Sequence, residues 1–318
     1  MARKYIHDLK EFPELISILE NETRILAGLI EKDYWIMHIL YGLTKQGFSF
    51  EMKGGTSLSK GYGIINRFSE DIDIQINPDP ERNVTVNTKN TKVNAVKSRF
   101  DYYDWLASEI KIDGITSIKR DHDFDDSDGR SGGIRLYYKS YTESVPNLKE
   151  GILLEVGFDT VTPNEKINIS SWALDKAINT PGIEIIDNKA LGVSCYHPGY
   201  TFVEKLQTIA TKFRQEQEED GKVYANLMRQ YYDVYNLLNT QIVKDFIGTE
   251  AYIKHKEERF RGKEKDLIIA ECEAFLLSSP ELRKQFKDRY KLTAPLYYNG
   301  QPDFDELLNK ISEFIHLL

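Results

Sequence analysis

Residues 53–76, KGGTSLSKGYGIINRFSEDIDIQI, constrain this chain more than any other stretch. They read as the end of a strand, a glycine turn, a short helix, a loop and a second strand that opens with two carboxylates one residue apart. A strand repeats its side-chain direction every second residue, so Asp71, Asp73 and Gln75 share one face while Ile72, Ile74 and Ile76 share the other. The isoleucines can enter a core, and the aspartates are then held side by side on a rigid element. Like charges held so repel unless a cation sits between them. Hard oxygen ligands of this kind suit Mg²⁺ or Mn²⁺, above all where a substrate phosphate supplies the remaining ligands. Gly54 and Gly55 lack a Cβ, so the backbone there can approach a phosphate closely, and the N–H groups that open a helix at Thr56 favour its negative charge.

The chain has 318 residues, long enough for two domains with ordinary cores. A formal net charge of −8 argues against a surface coated for non-specific nucleic-acid binding, while leaving room for a local basic patch. Cys195 and Cys272 stand far apart without zinc-site spacing, so both are expected to be small buried apolar residues in a reducing cytoplasm. The opening MARKYIHDLKEFPEL lacks the apolar run of a signal peptide, and no stretch approaches the roughly 18–20 apolar residues of a membrane span. The expectation is a cytoplasmic protein with no membrane contact.

Over residues 8–46 the apolar positions Leu15, Ile16, Leu19, Ile25, Leu29 and Ile36 fall near i, i+3, i+4 spacing, which predicts helix. Inside it Glu31-Lys32-Asp33-Tyr34-Trp35 reads, on its own, as a charged turn of that helix. Residues 48–52 predict a strand feeding the glycine turn, residues 77–94 a polar loop, and residues 93–110 a helix. Residues 115–119 and 134–139 read as strands around the acidic run 121–129, which lacks the glycine and closing glutamate of an EF-hand loop and is better read as a solvated hairpin loop. In residues 152–158, ILLEVGF, Glu155 is the single interior charge, costly there unless paired or bound to metal, and Asp159 just beyond is its rival. Around residues 181–198 mixed α/β character gives way to helix, with a boundary near Tyr196. Residues 201–215 predict a helix that buries Phe202, Leu206, Ile209 and Phe213, with Thr201 as its N-cap. Helices follow at about 265–277, 280–290 and 304–317. The basic runs 254–265 and 283–291 read first as solvated helix faces. Their sharper reading is a surface tracking RNA phosphates, with Phe286 or Tyr290 available to stack on bases.

The glycine turn and Asp71-x-Asp73, with fourteen residues between Thr56 and Asp71, together resemble the first motif of nucleotidyltransferases of the polymerase beta superfamily. The Glu31–Trp35 segment looks like the Glu-Lys-Asp-aromatic-aromatic segment of one branch, the AbiEii/AbiGii-type toxin nucleotidyltransferases. Arg67 and Ser69 match the Arg-x-Ser-x-Asp lead-in to Asp71, and Glu155 resembles the third carboxylate of the metal site. Glu204-Lys205-Leu206 is similar to the Glu-Lys-Leu segment, and Arg229 with Asp233 to the Arg-x-Tyr-Tyr-Asp segment. Gln230 stands where the family often carries a charged or histidine residue, so Asp233 matches better than Arg229.

The resemblance implies an α+β fold: a nucleotidyltransferase-like mixed β-sheet flanked by helices, followed by a C-terminal helical bundle. It divides the chain into a nucleotidyltransferase domain with N-terminal helices over 1–195 and a helical bundle over 196–318, with nucleotide in the cleft. Asp71, Asp73 and Glu155 would hold Mg²⁺ or Mn²⁺ and, with Lys205 and Asp233, form the catalytic set. Gly54, Gly55, Thr56, Ser57, Arg67, Ser69 and Lys205 would bind the nucleoside triphosphate. The implied reaction moves a nucleoside monophosphate onto a hydroxyl acceptor, the 3′ end of tRNA, as the toxin of a toxin–antitoxin or phage-defence system with a cognate antitoxin protein. Transfer to a protein or small molecule, or an inactive binding module, stays open as an alternative, because fold and metal chemistry do not fix the acceptor.

Overall fold

The computed structural model describes residues 3–145 and 148–318. The chain forms two compact units, Met1–Tyr62 with Ser69–Tyr196 and Gly63–Phe68 with His197–Leu318.

The first unit holds, in chain order, α1 (Phe12–Thr23), α2 (Ala27–Lys45), β1 (Ser49–Lys53), α3 (Gly54–Thr56), β2 (Asp71–Asn77), α4 (Val93–Glu109), β3 (Ile115–Asp121), β4 (Ser131–Tyr138), β5 (Ile152–Gly157), β6 (Asn164–Ile169), α5 (Trp172–Ile178) and β7 (Ala190–Tyr196). The helical run expected over 8–46 is two helices. Arg24 turns left-handed at φ 64° and closes α1 on the Glu20 carbonyl, and the Glu20 carboxylate accepts the Ala27 N–H at 2.8 Å where α2 begins.

All seven strands form one mixed sheet in the order β3-β4-β5-β2-β1-β7-β6, so the α+β expectation holds. β2 runs antiparallel to β1 and parallel to β5. Register turns the alternation of the sequence into a core: Met52, Ile74 and Val156 lie in one row across three strands, and Ile72, Leu154 and Ile134 in the next, all fully buried. Each such side chain contributes about 2 kcal/mol by leaving water. Gly132 ends the first row, and a Cβ there would stand 2.5 Å from the Tyr103 ring, so the missing side chain lets α4 close onto the sheet. β6, α5 and β7 are additions to the expected elements. β6 has little apolar signal, and β7 lies in the stretch read as a domain boundary; β7 becomes a strand by pairing Ser194 and Cys195 with Glu51 and Met52 of β1.

The second unit is helical: α6 (Pro198–Glu218), α7 (Leu227–Leu238), α8 (Gln241–Phe246), α9 (Glu250–Arg259), α10 (Glu273–Leu276), α11 (Pro280–Lys291) and α12 (Phe304–Phe314). α6 starts earlier than expected. Pro198 occupies its first turn, where the missing N–H is harmless, and the His197 ring accepts the Gly199 N–H at 3.1 Å as the cap. Thr201 is therefore a buried interior residue, not the N-cap. The helix expected over 265–277 is broken into 3₁₀ turns at Gly262–Glu264 and Ile269–Glu271 before α10. Phe202, Leu206, Tyr231, Leu237, Phe304 and Leu307 are fully buried at its centre. The short segment Gly63–Phe68 belongs here through the Phe68 N–H to the Leu296 carbonyl at 2.7 Å and the Tyr298 N–H to the Asn66 carbonyl at 3.2 Å. Among the described residues, no helix is long and apolar enough to cross a membrane.

Candidate functional site

β2 presents Asp71 and Asp73 on the face opposite its buried isoleucines, as its period of two requires. β5 sets Glu155 in register with Asp73, and β1 sets Lys53 in register on the other side. One row across the sheet therefore reads Lys53, Asp73, Glu155, with about 4.8 Å between neighbouring strands. Asp71 stands in the adjacent row, next to Leu153 and, one strand further, Arg135. All three carboxylates are half-buried. Asp159, the rival of Glu155, lies past the end of β5, exposed, with Lys53 Nζ 3.9 Å away.

α3 follows β1 without a loop. Gly54 has φ 68°, and a Cβ there would overlap the Asp73 carboxylate, so this position takes glycine alone. The Thr56 hydroxyl donates to the Asp71 carbonyl and ties the turn to β2. Thr56 and Ser57 are fully buried, and the Ser57 N–H bonds back to the Gly54 carbonyl. Gly55 is buried between them and Gly54.

Burial raises Asp71 to about 6, with repulsion from Asp73 and Glu70 adding to it and Lys149 and Arg135 opposing. Glu155 is also raised, by burial first, with Lys53 opposing and Asp71 adding. Hard carboxylate oxygens on neighbouring strands fit a divalent cation of the Mg²⁺ or Mn²⁺ kind. Among the described residues no three His, Cys, Asp or Glu side chains close into a cage of their own. Mg²⁺ does not ask for one, since it is usually held by one or two carboxylates together with substrate phosphates and water.

The second unit carries a different arrangement. Asp233 on α7 has no exposed surface; it accepts from Arg67 Nε and Nη2, both at 2.7 Å, and pairs with Lys205 Nζ at 2.6 Å. Burial alone would raise this carboxyl, but Arg67 and then Lys205 outweigh it and hold it below the usual carboxylate range. Lys205 also donates to Gln230 Oε1 at 3.1 Å, which gives the departing Gln230 a role. Asp233, expected among the catalytic groups, has no exposed surface, and its partners are Arg67 and Lys205. Arg67, expected in the nucleotide pocket, is 5% exposed and spends its remaining Nη1 on the Phe68 carbonyl at 3.3 Å. Ser69, two residues before β2, is half-buried.

The expected stacking residues are not available. Phe286 and Tyr290 are each 1% exposed and pack against Phe304. Arg283 and Lys287 pair with Asp303 and Asp305, and Arg289 forks onto Glu216. The 283–291 run is an amphipathic helix in which Arg283, Lys287 and Arg289 are paired by acids of its own chain. Lys53, by contrast, was not singled out from sequence, because its place beside Asp73 depends on strand pairing across a long excursion that no local pattern announces.

A family profile described as Nucleotidyl transferase AbiEii toxin, Type IV TA system, matches residues 38–310. No curated protein sequence matches the chain. Among solved structures, the chain is similar to an antigenic nucleotidyltransferase-like protein from Paracoccidioides brasiliensis at 11% identity and a TM-score of 0.36, over 72% of this chain and 93% of that one. It is also similar to terminal uridylyl transferase 4 from Trypanosoma brucei with bound dUTP, at 10% identity and a TM-score of 0.30, over 96% of this chain and 97% of that one. Likeness this distant decides nothing about residues or substrates.

Proposed function

The chain belongs to the AbiEii nucleotidyl transferase toxin family, and from that premise we propose that it transfers a nucleoside monophosphate from a nucleoside triphosphate to the 3′ hydroxyl of tRNA, in a reaction requiring Mg²⁺ or Mn²⁺. Nucleotidyl transfer follows from the family; the metal, the acceptor and the residue roles are our reading. The observation that carries it is the register of Asp73 with Glu155 on parallel strands, on the same face as Asp71.

Asp71, Asp73 and Glu155 would hold the divalent cation. Bound there, it supplies activation of the acceptor hydroxyl and neutralises charge at the α-phosphate. The Gly54 backbone lies against Asp73, so the turn Gly54–Thr56 with Ser57 is fixed relative to the carboxylates, and we assign it to the triphosphate. Glu155 takes the proton from the attacking hydroxyl as its oxygen bonds to the α-phosphorus and pyrophosphate departs. Lys205 has an ammonium donor left after Asp233 and Gln230, which we assign to phosphate. We infer a role as toxin, opposed by an antitoxin, in phage defence in the cytoplasm, where tRNA and nucleotides are found.

One observation favours a protein or small-molecule acceptor instead: the aromatics expected to stack on RNA bases, Phe286 and Tyr290, are buried. A single assay separates the two. Purified protein with Mg²⁺, bacterial tRNA and each α-labelled nucleoside triphosphate in turn should label tRNA, and Asp71→Ala/Asp73→Ala should not. Label in protein or small molecules with bare tRNA would keep the site and overturn the acceptor.

A further inference from the structure

Glu31, Lys32 and Asp33 follow one another on α2, where successive side chains point about 100° apart. They cannot share a face, yet their exposures are only 1%, 7% and 1%. Three consecutive buried charges are strongly unfavourable unless each meets its own partners, and each does. Glu31 accepts from Ser140 Oγ at 2.7 Å, the Tyr141 N–H at 2.9 Å and Thr142 Oγ1 at 2.7 Å, just past β4. Lys32 Nζ donates to the carbonyls of Lys149 and Gly151, the latter at 2.8 Å, where the chain turns into β5. Asp33 accepts from Lys60 Nζ at 2.5 Å and the Trp172 N–H at 2.9 Å. Lys60 lies in the Ser57–Gly61 turn that continues α3.

These partners are not scattered. Gly151 has φ 65°, and a Cβ there would stand 2.5 Å from the Leu136 carbonyl, so β5 begins from a fixed bend. A slip of β5 by one residue would turn Glu155 to the opposite face of the sheet. The group that pins the Gly151 carbonyl therefore helps pin Glu155 beside Asp73. Asp33, through Lys60, does the same for the turn that continues Gly54–Thr56.

We propose that this one turn of α2 positions the site from behind: Lys32 holds β5, and with it Glu155, while Asp33 holds the turn after Gly54–Thr56. Both are positioning residues, and the kinetic part of the claim rests on the proposed transfer reaction. The test uses the full chain as wild type, Lys32→Met and Asp33→Asn, read by hydrogen exchange and by labelled-nucleotide transfer. Lys32→Met should speed exchange of the amides over 152–157 by about tenfold or more and leave 54–61 within about twofold, and Asp33→Asn should do the reverse. In the transfer assay Lys32→Met should lower kcat by about tenfold or more with KM for the nucleotide little changed, and Asp33→Asn should chiefly raise KM. Should Lys32→Met not fold, Lys32→Arg keeps the charge and moves the donors, and the same local loosening is expected of it. Equal loosening of both segments, or of neither, would mark Lys32 and Asp33 as plain contributors to stability and overturn the proposal. A wild type that transfers no nucleotide would sink the proposed function, and the exchange pattern would still decide this claim.

Discussion

The molecule buries charge in two ways. On the sheet, burial and then the repulsion of Asp73 and Glu70 push Asp71 to about 6, and burial with Asp71 nearby raises Glu155, while Lys149 and Arg135 beside the first and Lys53 beside the second oppose without cancelling the shift. In the helical unit, Asp233 is more deeply buried, yet two cations hold its carboxyl low. A buried acid matched by its own chain is a structural part. A buried acid left unmatched is held in an unfavourable state by the fold, and what relieves it has to come from outside. Position in a motif does not separate the two cases; the neighbouring charges do.

The largest effect should come from removing the two aspartates of β2. Asp71→Ala/Asp73→Ala should lower transfer on the order of a thousandfold, while the thermal midpoint of metal-free protein stays level or rises because a repulsive cluster has gone. A fall in stability matching the fall in activity would mean that these acids are structural after all, and the contrast with Asp233 would collapse.

Asp233→Asn should behave in the opposite way. Leaving Arg67 and Lys205 buried without their counter-charge should cost about 3–5 kcal/mol in denaturant unfolding. The replacement Arg67→Met/Asp233→Leu/Lys205→Met should recover much of that stability and still lack activity if Lys205 serves phosphate. Recovery of both would reduce the triad to packing.

The two constellations were not equally legible in the sequence. Alternation over a few residues is enough to put Asp71 and Asp73 on one face and the isoleucines on the other, because a strand's period is a local property. Gly54 was legible as a phosphate-approach residue, but the contact that demands glycine is with Asp73, which only the fold reveals. Tertiary pairing lies beyond local pattern. Lys53 joins the carboxylate row, Asp233 acquires Arg67 from a distant segment, and Phe286 and Tyr290 turn inward against Phe304. The 283–291 run shows why charge alone misleads: Arg283 and Lys287 pair with acids of α12 and the residue capping it, more than a dozen residues away, so they look like a solvated basic face until the helices pack.

Smaller, and more selective, is the response to metal. Millimolar Mg²⁺ should raise the midpoint of wild type by a few degrees, the size expected when a ligand binds only the folded state well above its dissociation constant. It should leave Asp71→Ala/Asp73→Ala unmoved, and Asp233→Asn should respond as wild type does. An equal response from all three proteins would place the cation elsewhere.

The finest distinction is in pH, with the metal chelated. Asp233 has a folded pKa below its unfolded value of 3.8, so its stabilisation is fully present above that value and is lost as pH falls through the lower folded one. The gap in midpoint between wild type and Asp233→Asn should therefore be constant from pH 8 to about 5 and close only in stronger acid. Asp71 runs the other way. Its folded value near 6 lies above 3.8, so its contribution is present below 3.8 and lost as pH rises through about 6. Asp73 and Glu70 raise it and Lys149 and Arg135 oppose, with Lys32 and Glu155 also within electrostatic reach. Asp71→Asn should accordingly be the more stable protein at pH 7.5 and lose that advantage by about pH 4. Two midpoint-against-pH series on these variants are sufficient, and gaps that move in the same direction would mean that the two acids are buried on equal terms.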